Sequence, residues 1–123
     1  MATTSAGGWV RVLFRATLIG TILQLLMVIA GHYDASVKSL FALLGMSISL
    51  AAGFIFGRWS GSPGRVLAVV GGAVAGGVCA LIGVMESYSL EDVSAAVLWF
   101  GPAGSAATGA LGGLLGRLAR RQG

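Results

Sequence analysis

Charged side chains divide the chain into four long apolar segments. Residues 16–33, 39–57, 66–85 and 93–116 contain no Lys, Arg, Asp or Glu, and the segments are 18, 19, 20 and 24 residues long. A helix needs about 20 mainly apolar residues to cross about 30 Å of hydrocarbon. The pattern therefore predicts an all-α membrane protein, a single domain over residues 1–123 with four transmembrane helices.

The composition narrows the class of protein further. Hydrophobic residues make up 56% of the chain and charged residues 10%, whereas soluble domains have about 25% charged residues. The chain is too apolar for a disordered segment, and its single Cys excludes an intrachain disulfide framework. One Cys is also too few for a Cys-rich zinc site or a dithiol exchange centre, and one His is too few for bis-His haem ligation within the chain. The sequence predicts no metal, no cofactor and no enzyme activity.

The charges are divided unequally between the ends of the predicted helices. Seven Arg lie before the first helix, between the second and third, and after the fourth, while Lys38 and all four acids lie in the other two connections. Loops rich in Lys and Arg stay in the cytoplasm. We therefore expect a protein of the bacterial inner membrane with both termini on the cytoplasmic side. The basic charge then serves orientation in the lipid bilayer, and no nucleic-acid partner is expected.

The first apolar segment has an alternative interpretation. Arg11 and Arg15 precede the apolar residues 16–29, and the small residues Ala30 and Gly31 follow, which also fits a secretory signal peptide with its cleavage site. Three further apolar segments favour a retained first helix.

Two parts of the chain share a pattern that predicts a repeated helical hairpin, over about 11–58 and about 65–117. Each copy has Arg-Val-Leu before an apolar helix, then an acidic connection and a second helix. The second helices share the order G-x3-[ST]-x3-G-x3-G-R. The shared positions are Gly45, Ser49, Gly53 and Gly57 in one copy, and Gly104, Thr108, Gly112 and Gly116 in the other.

Small residues at a spacing of four form stripes on the predicted helices. Residues four apart share a helix face, and small side chains there let helices approach closely in lipid. The third helix carries Gly72 and Gly76, and the fourth carries a second stripe with Gly109 and Gly113. One neighbouring helix can pack against only one of the two stripes on the fourth helix. The stripes predict packing within the bundle, or additionally a contact with a second copy or another membrane subunit.

Pro102 interrupts the fourth apolar segment. Proline removes a backbone donor and clashes with the preceding turn. Either the helix is kinked at Pro102, or residues 93–100 lie at the membrane interface and the crossing begins at Pro102. The second interpretation leaves a short crossing up to Gly116, so we expect a long, kinked helix.

Four polar residues are candidates for a polar path or an outer site. Gln24 is the only amide or ionisable side chain well inside an apolar segment, so it either links helices by a hydrogen bond or contacts a ligand or ion. His32, Asp34 and Glu86 lie where the first and third helices should end, and the repeat would put His32 and Glu86 at one depth. They form either a proton or cation site or solvated loop residues, with Asp34 as a helix cap.

The sequence favours three functions, none of them catalytic. Short loops and excess small-residue faces favour a structural, accessory or assembly subunit of a larger membrane complex or homo-oligomer. The repeated hairpin and the acidic outer loops favour instead a small oligomeric channel or transporter for an ion or small solute, with Gln24, Ser49 or Thr108 along its path. Size and glycine content alone would also fit a holin-like pore former.

Overall fold

A computed structural model describes residues 6–59, 65–91 and 93–122. Helices account for most of these residues, and no strand occurs among them, which confirms the predicted all-α fold. The chain order is α1 (Ala6–Tyr33), α2 (Ala35–Lys38), α3 (Phe41–Trp59), α4 (Arg65–Ser89) and α5 (Val97–Gln122). Each long helix covers most of one apolar segment. Asp92, one of the acids in the predicted outer connections, lies outside the described residues.

Two helices are long and apolar enough to cross a membrane. In the described part of the chain they are Gly8–Tyr33, which is most of α1, and Arg65–Ser89, which is α4. Leu43–Trp59 of α3 is apolar but shorter. Length and composition thus support membrane association through α1 and α4.

The helix ends follow local chemistry. Asp34 begins the single turn of α2, where its carboxylate accepts a hydrogen bond from the Ser36 N–H at 2.9 Å. Glu91, with a φ of 63°, follows α4 in the left-handed conformation that commonly ends a helix. The last helix begins at Val97, four residues after its apolar segment begins, and it continues through Pro102. The long helix is therefore present, and residues 93–96 belong to the connection before it.

The helices pack through small residues. One stripe of α1 is buried against α3 and α4, with Ala16, Gly20, Gln24 and Val28 at a spacing of four. The largest fully buried side chain is Phe56 of α3. Its ring lies where a Cβ on Gly71 of α4 would be. Helix α5 packs against both α3 and α4.

The bundle has two halves with different packing. One half, which we call the glycine-packed half, lies towards the C-terminal end of α3 and the N-terminal end of α4, and it contains Gly53, Gly57, Gly72, Gly109 and Gly113. The half nearest α2, which we call the cavity half, is marked by Gln24, Gly45, Gly83, Ser87 and Ser105.

Candidate binding site in the helix bundle

The repeated glycine pattern lies at the contact between α3 and α5. A Cβ on Gly53 would meet the carbonyl oxygen of Gly109, and a Cβ on Gly112 would meet the carbonyl oxygen of Leu50. Gly109 lies three positions before Gly112 on α5, and Leu50 lies three positions before Gly53 on α3. The two helices therefore contribute equivalent residues to the contact. The same relation holds one turn further along, for Gly57 with Gly113 and for Gly116 with Phe54. The contact is reciprocal, as in a two-fold interface, while the duplication itself stays a prediction.

The second stripe of α5 faces α4. A Cβ on Gly109 would meet the carbonyl oxygen of Gly72, and a Cβ on Gly113 would meet that of Ala68. A Cβ on Gly76 would lie 2.9 Å from the Cα of Gly109. The two stripes of α5 therefore contact two helices of the same chain. This removes the reason that the sequence offered for placing a second chain against α5.

Gln24 links three helices. Its side chain is 2% exposed, and Nε2 donates to the Gly45 carbonyl at 3.1 Å and to Ser49 Oγ at 3.4 Å. Ser49 is fully buried and donates to the Gly76 carbonyl of α4 at 3.1 Å. Thr108, the position equivalent to Ser49 in the repeat, donates within its own helix instead. The amide and hydroxyl pair thus joins α1, α3 and α4.

The other end of the Gln24 amide lies at a cavity wall. Cβ atoms on Gly45 and Gly83 would lie 3.6 and 3.4 Å from Gln24 Oε1, and all three residues line the cavity. Among the described residues, this oxygen accepts no hydrogen bond. One half of a buried amide is therefore satisfied by the protein, and the other half faces open space.

The cavity has a volume of about 460 Å³ and lies between α1, α3, α4 and α5. Apolar side chains such as Met46 and Val84 form most of its wall, and Lys38 lines it at the α2 end. The nearly buried residues Ser87 and Ser105 also line it. Ligand pockets commonly have volumes of about 300–1,000 Å³, apolar walls and a few polar groups. This cavity is the candidate binding site.

The remaining candidate residues lie elsewhere. His32 and Glu86 line a second cavity together with Tyr33, whose ring meets the His32 ring edge-on at a centroid distance of 5.0 Å. Glu86 Oε1 is buried and has no hydrogen-bond partner in the described part of the chain. Asp34 caps α2. The structure therefore brings His32 and Glu86 together and separates them from Gln24.

The sequence identified Gln24 but did not indicate the cavity beside it. Gly45 was predicted as part of a small-residue stripe, and a stripe does not indicate whether a helix or an open space faces it. No group of three or more His, Cys, Asp or Glu in the described residues is placed to hold a metal ion. Comparison of the chain with protein-family models, curated proteins and solved structures finds no match.

Proposed function

We propose that the protein is an integral membrane protein with four spans and both termini in the cytoplasm, in a bacterial inner membrane. The observation that carries this proposal is the apolar surface on every long helix. Monomeric soluble proteins rarely expose contiguous apolar patches larger than a few hundred Å², whereas lipid tails cover such a surface favourably. The exposed residues include Phe14, Leu18, Ile22 and Leu26 on α1, Leu43 and Phe54 on α3, Val66, Val70 and Val74 on α4, and Leu111, Leu115 and Leu118 on α5.

Packing supports the inclusion of α3 and α5 among the spans. Helix α5 meets α4 at Gly72 and Gly76 and meets α3 at Gly53 and Gly57, so backbone contacts run along it. A helix that lies along a spanning helix in this way shares its depth. The glycine content of α5 makes it less apolar than α4, but these glycines face other helices and need no lipid contact.

Within the membrane we propose a non-catalytic role as a structural, accessory or assembly subunit of a membrane complex or homo-oligomer. Helix α1 supports this role. One narrow stripe of α1 is buried, while Phe14 and Leu26 are 69% and 59% exposed. The rest of α1 thus offers a broad apolar surface to another membrane protein.

Cysteine accessibility tests the topology. In a Cys79→Ala background, single cysteines replace Ser36, Ser94 and Ser62, and intact cells are treated with a membrane-impermeant maleimide. We expect labelling at positions 36 and 94 without permeabilisation, and labelling at position 62 only after permeabilisation. Labelling of positions 36 and 94 from opposite sides would overturn the four-span arrangement.

Photo-crosslinking tests the subunit role. A photoreactive phenylalanine analogue at Leu26 of α1 should capture a defined protein in native membranes, and the same analogue at Leu111 of α5 is the matched exposed control. A pull-down in mild detergent should recover the same protein, or a second copy of this chain, in stoichiometric amount. Crosslinks from Leu26 to lipid alone, with no protein recovered, would exclude the role.

A second candidate function, transport of an ion or small solute, is favoured by the cavity. The cavity opens among four helices and ends at Gln24, a polar side chain far from either end of α1. Substrate sites of small-solute transporters lie at comparable depth, between helices. Flux into liposomes that is lost in Gln24→Leu would support transport, and absence of flux for the parent protein would exclude it.

A further inference from the structure

We propose that the cavity binds a small, neutral and mainly apolar molecule that carries one hydroxyl group, which donates a hydrogen bond to Gln24 Oε1. The inference rests on the second candidate function, because both use the same cavity. It adds the chemical class of the ligand and names the atom that selects it.

The unpartnered oxygen of Gln24 determines the polarity of the ligand group. Nε2 is engaged by Gly45 and Ser49, which fixes the amide so that Oε1 lies beside Gly45 and Gly83 at the cavity wall. A carbonyl oxygen only accepts hydrogen bonds, and a polar atom that faces a mainly apolar cavity is unfavourable without a hydrogen-bond donor. A donor group on a ligand would satisfy it.

The other lining groups exclude a charged ligand. No Asp or Glu lines the cavity among the described residues, so a cation would find no counter-ion in the cavity wall. An anion that filled the cavity would lie beside Gln24 Oε1, and this contact is unfavourable because both groups carry negative charge density and neither donates a hydrogen bond. A neutral donor such as a hydroxyl is therefore favoured over an ammonium or a carboxylate.

The volume and the apolar wall favour an organic molecule over water. At about 30 Å³ per water molecule, the cavity would hold about 15 waters, each of which needs two to four polar partners. The polar side chains that line the cavity are those of Gln24, Lys38, Ser39, Ser87 and Ser105, and the remaining wall, which includes Met46 and Val84, is mainly apolar. A chain or ring of moderate size matches this wall.

A matched pair of photoreactive probes tests the proposal on the full chain in nanodiscs. One probe is octanol with a diazirine on its chain, and the other is its methyl ether, which lacks the donor. Labelled residues are mapped by mass spectrometry. We expect the alcohol to label Val28 or Ala80, which line the cavity and are 1% and 3% exposed, with up to about tenfold more label there than the ether gives, as one hydrogen bond implies.

Three variants complete the test. Gln24→Leu should abolish the preference for the alcohol, while Ile22→Leu, on the exposed face of α1, should keep it. Val84→Phe fills the cavity and leaves Gln24 in place, so it should reduce cavity labelling by both probes even if Gln24→Leu does not fold. Equal cavity labelling by alcohol and ether in the parent protein, or labelling of exposed residues alone, would overturn the proposal.

The same experiment separates this inference from the second candidate function. If the alcohol labels the cavity selectively but no flux is measured in liposomes, the proposed ligand class is supported and transport is excluded. If flux is measured but labelling does not favour the alcohol, transport is supported and the proposed ligand class is excluded.

Discussion

The glycine-packed half and the cavity half of the bundle use the same small residues at the same spacing, yet only one of them is closed. In the glycine-packed half a glycine faces backbone, as Gly53 faces the Gly109 carbonyl. In the cavity half a glycine faces a side chain, as Gly104 faces the Met46 methyl group and Gly83 faces Gln24. A small residue therefore brings two helices together where it faces the backbone of its neighbour, and a side chain that lies opposite it keeps the two backbones apart.

The largest effect should come from a bulky side chain at the centre of the glycine-packed half. Gly109 lies between the backbones of Gly53 and Gly72, so Gly109→Leu should destabilise the bundle by more than about 3 kcal/mol, since overpacking forces helices apart. Reaction of Cys79 with a maleimide during unfolding in SDS measures this, because Cys79 is fully buried and is the only cysteine.

The matched control is Ala107→Leu, two residues away on the exposed face of α5. It should change stability by less than about 0.5 kcal/mol. If the two variants unfold alike, the close contact of α5 with α3 and α4 is incorrect.

Removal of the largest buried side chain should have the next largest effect. Phe56→Ala leaves a cavity beside Gly71 and should cost about 2–4 kcal/mol, which is at or below the usual range for Phe→Ala if the bundle lies in lipid, as proposed. Phe14→Ala, at a position that is 69% exposed, should be nearly neutral in the same thiol-reaction assay. Equal costs would mean that Phe56 is not buried between α3 and α4.

Two alanine substitutions on one stripe of α3 compare the halves directly. Gly53→Ala puts a methyl group against the Gly109 backbone and should cost about 1–3 kcal/mol. A Cβ on Gly45 would have Gln24 Oε1 as its nearest neighbour, at 3.6 Å. Gly45→Ala should therefore be neutral or stabilise the bundle by up to about 1 kcal/mol, because alanine is the better helix former. The reverse order in SDS unfolding would contradict the division into halves.

The smallest effect should come from the hydrogen bond that joins α3 to α4. Ser49→Ala removes the donor to the Gly76 carbonyl and should cost about 0.6 kcal/mol and at most about 1.7 kcal/mol, the average and the maximum measured for hydrogen bonds between membrane helices. Ser47→Ala removes a hydroxyl that bonds its own helix at Leu43 and should cost less. Identical unfolding of both variants would show that Ser49 contributes no interhelical energy.

Much of the fold could be predicted because it depends on short stretches of chain. The apolar segments locate the four long helices, since helix length and face spacing are local properties. The beginning of α5 was predicted less accurately, because the absence of charged residues does not distinguish a helix from the connection that residues 93–96 form. Gln24 could be identified as a buried polar residue because few polar side chains occur inside apolar segments.

The sequence by itself determined the helical class, the stripes of small residues and the isolation of Gln24 among apolar residues. Only the tertiary structure decided what each stripe faces. Both stripes of α5 contact helices of the same chain, and the amide oxygen of Gln24 lies at a cavity with Gly83 and Ser105. The physical reason is that the residue opposite a glycine depends on the register between helices distant in the chain, which no local pattern specifies.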